Sequence, residues 1–361
     1  PALQKRWLLP IEARSISEAA SEDVPLPSAI VSAEVPPCLA TLGIAHPRPL
    51  QLTDHIYTID GALVTGWAGA MIKDGFLLTV RPRHNWASAL RAHPHRTRAL
   101  PSARAYFNLM APIPARGHIF HWLFNSIVPL LSFLESGNGG RDIGLIVNAR
   151  RSEFQDRTLD YLKVRYGIAA IETVGQREAV QVPHLKAAIP VPHIPRALQS
   201  PLGLARLDDL GHFLALNGVP EDSPKRIYIS RNDARLRRIL DEQRILPILE
   251  ARGFRRVILA GMPIARQIGL FCNAEAVVAP HGAGLAHIAW CKPATKILEF
   301  FPSPIGPRGR VKNASSDYWL LSQQRGLSYA CHLAGAVEDR SDGFALGEYQ
   351  LKAALDAAAI E

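Results

Sequence analysis

From Lys225 onward the chain alternates two kinds of segment in a pattern that few folds satisfy. RIYISR is a short apolar run bounded by polar residues, and ILDEQRILPILEARG, ending at Gly253, carries apolar residues at helical spacing. RRVILA, AVVAP and TKILEFF repeat the first kind of segment. MPIARQIGLFCNAE, LAHIAWC and DYWLLSQQRG repeat the second, ahead of a last strand, LSYACHLAG. Strands that alternate with helices are joined by crossovers, and crossovers lay strands parallel in one sheet. The stretch therefore predicts an α/β, Rossmann-like domain, followed by an Ala-rich helix from Glu348 to Ile360.

A weaker series of the same kind precedes it. HWLFNSIVPLLSFLES reads as a helix, DIGLIVNA as a strand and FQDRTLDYLKVRYG as a helix, with apolar runs around Ile171 and Val180 beyond. LARLDDLGHFLALNG, closed by Gly218, reads as an amphipathic helix bridging two lobes. The first hundred residues are rich in Pro and read as short strands and loops, an antiparallel accessory layer. A length of 361 residues agrees with two domains. The expected boundaries are 1–205 and 206–340, with 341–361 a terminal helix packing back on the first lobe.

Hydrophobic residues make up 48% and charged residues 20%, so the chain can bury a core and is not disordered throughout. The net charge of +9 is concentrated: Lys225 to Arg266 holds 11 basic and 4 acidic residues. Such a block suits nucleic acid, an anionic membrane or a small polyanion. Its arginines alternate with apolar positions that belong to predicted strands and helices, which speaks against nucleic acid. Cys38, Cys272, Cys291 and Cys331 show neither a disulfide framework nor zinc spacing. The most apolar window, Ile119 to Leu134, is shorter than a bilayer span and contains His121, Asn125 and Pro129. PALQKRWLLPIEARS lacks the apolar core of a signal peptide. The expectation is a cytoplasmic protein whose basic face is available to the inner surface of a membrane.

Three places carry chemistry. In AVVAPHGAG the strand passes into a turn, His281-Gly282-Ala283-Gly284, that opens a helix at Leu285. Backbone N–H groups and a helix N-terminus there favour phosphate, although a tight turn with a packing glycine reads equally well. Ser230 and Arg231 end RIYISR and Glu299 lies near the end of TKILEFF. Ligands of open α/β sheets bind outside the carboxyl ends of strands, where Arg can hold phosphate and a carboxylate can accept ribose hydroxyls. Arg237, Arg244, Arg252 and Arg255 read as a solvated helix face or turn, and Gln267 as structural. The third place is upstream, where His118, His121 and Asn125 share one helix face, either a cleft-facing stripe or satisfied core residues. No Asp-x-Asp occurs and no third ligand joins the His pair, so no metal site is expected.

YISRNDARLRRILDE, ILEARGFRRVIL, ARQIGLFCNAEAVVAPHGAGLAH, a Cys-Lys-Pro turn and KILEFFP, in that order, resemble the C-terminal half of glycosyltransferase family 61. HWLFNSIVPLL is similar to the family's His-Trp-Leu segment, and the chain is identified as a bacterial-type member. The resemblance implies a GT-B architecture, two Rossmann-like lobes facing a cleft with extra short strands at the N-terminus. It implies inverting transfer of a hexosyl or pentosyl group, without cofactor or metal, from a nucleotide diphosphate sugar, most often a UDP-sugar. The acceptor would be a saccharide or lipid-linked glycan, as in surface polysaccharide biosynthesis.

Carried over by position, the resemblance implies donor binding by Ser230, Arg231, Arg235, His281, Gly282, Ala283, Gly284 and Glu299, with Glu299 on the ribose. His118, His121 and Asn125 would face the acceptor. Where the family usually has Asp or Glu this chain has Asn125, and a carboxamide is not a general base. Three readings follow: His121 or His118 is the base, the family's acid never was, or the chain is a noncatalytic nucleotide-sugar or glycan binder.

Overall fold

The computed structural model describes residues 13–15, 20–26, 29–46, 49–52, 55–66, 69–79, 96–110, 119–137, 142–168, 170–188, 200–215, 223–234, 236–303, 315–336 and 343–360. The chain divides into two units, Pro1–Ala29 with Leu52–Arg206, and Ile30–Gln51 with Leu207–Glu361. The second unit thus takes an early segment of the chain that the sequence pattern assigned to the first.

In chain order the first strands are β1 (Ala13–Ser15) and β2 (Glu22–Pro25). The segment that joins the second unit holds β3 (Ala29–Val31), α1 (Pro37–Thr41) and β4 (Leu50–Leu52), with β3 and β4 paired as a ribbon. The first unit resumes with β5 (His55–Thr65), β6 (Met71–Lys73), β7 (Phe76–Thr79), β8 (Arg96–Ala99) and β9 (Tyr106–Asn108). Then come α2 (Ile119–Trp122), a π-helical turn (Leu123–Ile127) and α3 (Val128–Glu135). The series β10 (Gly144–Asn148), α4 (Glu153–Tyr166) and β11 (Ile171–Val174) is the βαβ unit that the alternation predicts, its strands parallel. Ser152 caps α4 in a reciprocal box with Gln155, and Gly167, at φ 68°, closes it.

Apart from the β3–β4 ribbon, the N-terminal strands do not form a separate layer. β12 (Glu178–Ala188) runs antiparallel to β5 and parallel to β9, and so joins them to the parallel part. The result, among the described residues, is one mixed sheet in the order β1-β7-β6-β5-β12-β9-β10-β11, with β2 beside β5 and β8 beside β12. The expected single bridging helix is two, α5 (Pro201–Ala205) and α6 (Leu207–Ala215), one in each unit; Gly218 lies outside the described residues.

The second unit matches its sequence pattern closely. It consists of β13 (Arg226–Ile229), α7 (Glu242–Ala251), β14 (Phe254–Val257), α8 (Ile264–Cys272) and β15 (Ala276–Pro280). A 3-10 helix (Ala283–Trp290), β16 (Lys296–Ser303), α9 (Asp317–Arg325), β17 (Ser328–Ala336) and α10 (Glu348–Ala357) complete it. All five strands are parallel, in the order β14-β13-β15-β16-β17. The terminal helix α10 packs on α7 and β17 of its own unit, contrary to the expectation that it returns to the first lobe. Leu351, Ala354 and Leu355 enter the same core as Tyr228, Val278, Leu298 and Phe300, so its apolar face is already covered there.

Candidate active site

The strand order decides where a ligand belongs. Counting the five strands in chain order, the first has the second on one side and the third on the other, so the winding direction reverses between β13 and β15. Helices leave the two strands on opposite faces at such a point, and a crevice opens at their carboxyl ends. The residues that follow are Ser230 and Arg231 after β13, and His281 and Gly282 after β15.

Arg231 is half-buried, and its Nε and Nη2 both donate to Leu236 O at 3.2 Å. The guanidinium lies against the backbone of Gly282: a Cβ there would stand 2.0 Å from Nη1 and 2.7 Å from Cζ. At φ 166° this backbone is extended and open to any residue, so the demand for glycine is steric. Arg237 supplies a second cation. Its backbone is left-handed, φ 58°, unusual for a bulky residue, and its Nε donates to His281 O at 2.9 Å. Burial, and then the nearby Arg237 charge, hold the Arg231 guanidinium below its ordinary value, with Asp233 opposing. Arg237 is therefore part of this edge and not the solvated residue its sequence context suggests. A left-handed arginine leaves no sequence signal.

His281 is 6% exposed. Its ring stacks on Phe301 at 4.8 Å and tilts against Tyr318 at 5.5 Å. Nδ1 donates to Glu299 Oε1, and the other carboxylate oxygen accepts from Tyr329 Oη at 2.6 Å. Tyr318 Oη donates to Gly282 O at 2.7 Å. Burial, reinforced by the Glu299 charge, pushes the phenols of Tyr318 and Tyr329 well up, so both remain donors. Glu299 has no accessible surface, 0%, and both its oxygens are occupied. It holds His281 and Tyr329, an arrangement that differs from the ribose contact expected of it. Sequence reasoning misses Tyr318 and Tyr329 because neither lies in a motif; Tyr318 comes from α9 and Tyr329 from the neighbouring strand β17.

Ser230 likewise turns inward. Its Oγ accepts from Arg256 Nη2 at 3.1 Å and from Asn232 N at 3.3 Å. Buried Glu242 gathers Tyr228 Oη, Asn232 Nδ2 and Arg256 Nη2 at 2.9, 2.7 and 2.7 Å, so this cluster props the loop that carries Arg231. Ala283 and Gly284 begin the 3-10 helix, in place of the expected α-helix. Arg235 and His118 lie outside the described residues. Gln267 is structural as expected, donating to Leu259 O and Met262 O. Arg244 and Arg255 are exposed, whereas Arg252 ties α10 down through Ile360 O and Asp356.

In the first unit, His121 and Asn125 are partly exposed on a helical stretch whose other residues from Phe120 to Phe133 are buried. They face each other, His121 Nδ1 to Asn125 Oδ1 at 2.8 Å. The π-turn that follows α2 widens the helix at this point, a distortion that recurs at functional sites. An amide carbonyl can only accept, so Nδ1 carries the proton and Nε2 is the basic nitrogen of the neutral ring.

The Glycosyltransferase 61 family profile matches residues 119–298, about half of the chain, from α2 through β16. The chain belongs to glycosyltransferase family 61. It is a glycosyltransferase, with a donor and an acceptor as substrates. Both the His121 helix and the Arg231–His281 edge of this family 61 member fall within or against the matched span. Among curated proteins no match is found. No helix among the described residues is long and apolar enough to cross a membrane.

Proposed function

We propose that this glycosyltransferase is a GT-B enzyme that transfers a sugar, with inversion, from a nucleoside diphosphate sugar, most naturally a UDP-sugar. The observation that carries the reading is the pair Arg231 and Arg237, held side by side at the carboxyl edge where the winding reverses. Two neighbouring guanidinium groups repel each other, and a bound diphosphate relieves that repulsion through charge-assisted hydrogen bonds. In transfer the same charges meet the leaving group as it becomes negative, the task a divalent ion performs in enzymes that use one. The absence of any Asp-x-Asp in the chain agrees with a metal-independent route.

On the acceptor side the reading assigns the base to His121. Asn125 fixes its tautomer through Oδ1, which supports catalysis without a carboxylate at that position. The acceptor is a saccharide or lipid-linked glycan, and surface polysaccharide assembly on the cytoplasmic side of a membrane is the process that fits. Thermal unfolding with and without UDP tests the donor site, since a ligand at a hundred times its Kd adds about 2.7 kcal/mol to the native state. Arg231→Ala is expected to remove both the UDP shift and transfer while remaining folded. Wild-type activity in that variant overturns the reading.

A further inference from the structure

The carboxylate, imidazole and phenol of Glu299, His281 and Tyr329 form a line that binding a diphosphate does not require. Two cations already stand at that edge. The line begins at a carboxylate with no accessible surface, fixed from β17 by Tyr329 Oη at 2.6 Å. It continues to His281 Nδ1, whose ring is stacked on Phe301 and tilted against Tyr318. The His281 backbone is pinned as well, N to Phe300 O at 2.9 Å and O to Arg237 Nε at 2.9 Å. Everything about the ring is therefore fixed except Nε2, for which no hydrogen-bond partner occurs among the described residues. Burying a carboxylate is costly unless it is paired, and here its pairing is spent on orienting one imidazole.

The Glu299 carboxylate accepts from Nδ1 and so lies directly against the ring. Other charged or titratable groups around the ring are Arg237 and Arg231 from the loop after β13 and Tyr318 from α9. Cys331, across the ladder from Glu299, and Cys38 of α1 stand behind the carboxylate. We propose that His281 is the acid of the transfer reaction, giving its Nε2 proton to the departing diphosphate, with Glu299 and Tyr329 as its positioning pair. The inference rests on the donor-site reading above.

The step balances. The bond from the anomeric carbon to the diphosphate oxygen breaks, and its electron pair stays on that oxygen. The acceptor oxygen forms the new bond to carbon and loses its proton to the base. The Nε2 proton of His281 moves to the departing oxygen, leaving a neutral imidazole with Nδ1–H still on Glu299, and solvent restores the proton after product release.

The test is steady-state transfer from the UDP-sugar that supports it, together with UDP-induced thermal shifts, in wild type, Glu299→Gln, Tyr329→Phe and His281→Gln. Expected for Glu299→Gln and His281→Gln is a kcat lower by about 10²- to 10⁴-fold, the usual range for a general acid, with donor KM and the UDP shift unchanged. Tyr329→Phe keeps the carboxylate and loses less. Unchanged kcat in a variant that still binds UDP overturns the proposal and leaves the donor-site reading standing, as does a loss confined to KM. Absence of a UDP shift in wild type overturns the donor-site reading itself. If Glu299→Gln does not fold, His281→Gln carries the same comparison.

Discussion

Moving from pH 7.5 to pH 5 is expected to cost the second unit about 2 kcal/mol through a single residue, His287. The residue sits in the 3-10 helix behind the glycine turn, 1% exposed, its ring stacked on Phe271 at 5.0 Å. Its Nδ1 has no hydrogen-bond partner among the described residues. Burial alone pushes the imidazole down from 6.5 to about 3. The folded state thus holds the neutral ring while the unfolded chain takes up a proton below pH 6.5. The stabilisation is complete above that pH and is lost progressively between 6.5 and 3. Each pH unit in that window is worth roughly 1.4 kcal/mol, which gives about 2 kcal/mol at pH 5 and about 5 kcal/mol once both states are protonated. For a unit of this size the loss at pH 5 lowers Tm by about 4–8 °C. Burial also holds His46 and His332 low, so the measurement is a difference: urea unfolding of wild type and His287→Leu at both pH values. The variant should lose about 2 kcal/mol less than wild type. An equal loss in the two proteins refutes the argument that this ring is kept neutral by its burial.

Two further outcomes follow from the geometry around Arg231. Gly282→Ala places a methyl 2.0 Å from Arg231 Nη1, so the guanidinium must leave its seat; loss of the UDP thermal shift with little change in the unliganded Tm is expected. Glu242→Ala strips Arg256 of its buried partner and should destabilise the fold by about 3–5 kcal/mol in urea unfolding.

Much of the second unit is legible in the sequence because its strands are buried on both sides and read as continuous apolar runs between amphipathic helices. Arg231 and the His281–Gly284 turn were recognisable for the same reason: they end such runs. The first unit is harder to read. β5 and β12 pair from Ile56 with Ala188 to Thr65 with Ala179, and a partner more than a hundred residues away leaves no local trace. Residues 30–51 are hard to place for a similar reason, since α1 packs on β17, nearly three hundred residues later. α10 was visible as a helix, but the core it enters was not.

Periodicity and turn residues are local properties, so the strands and most helices of the second unit, and the residues at its strand ends, are readable along the chain. Tertiary structure alone decided what each polar side chain does. Glu299 and Arg237 exchanged their expected standing: one is fully buried on β16 against His281, and the other, expected on a solvated helix face or turn, bonds the His281 backbone. The physical reason is that strand order sets which side chains become neighbours, and neighbours set burial, charge and hydrogen bonding. The order β14-β13-β15-β16-β17 sets β13 beside β15, which brings Arg231 and Arg237 to His281, and β15 beside β16, which puts Glu299 within reach of the same ring.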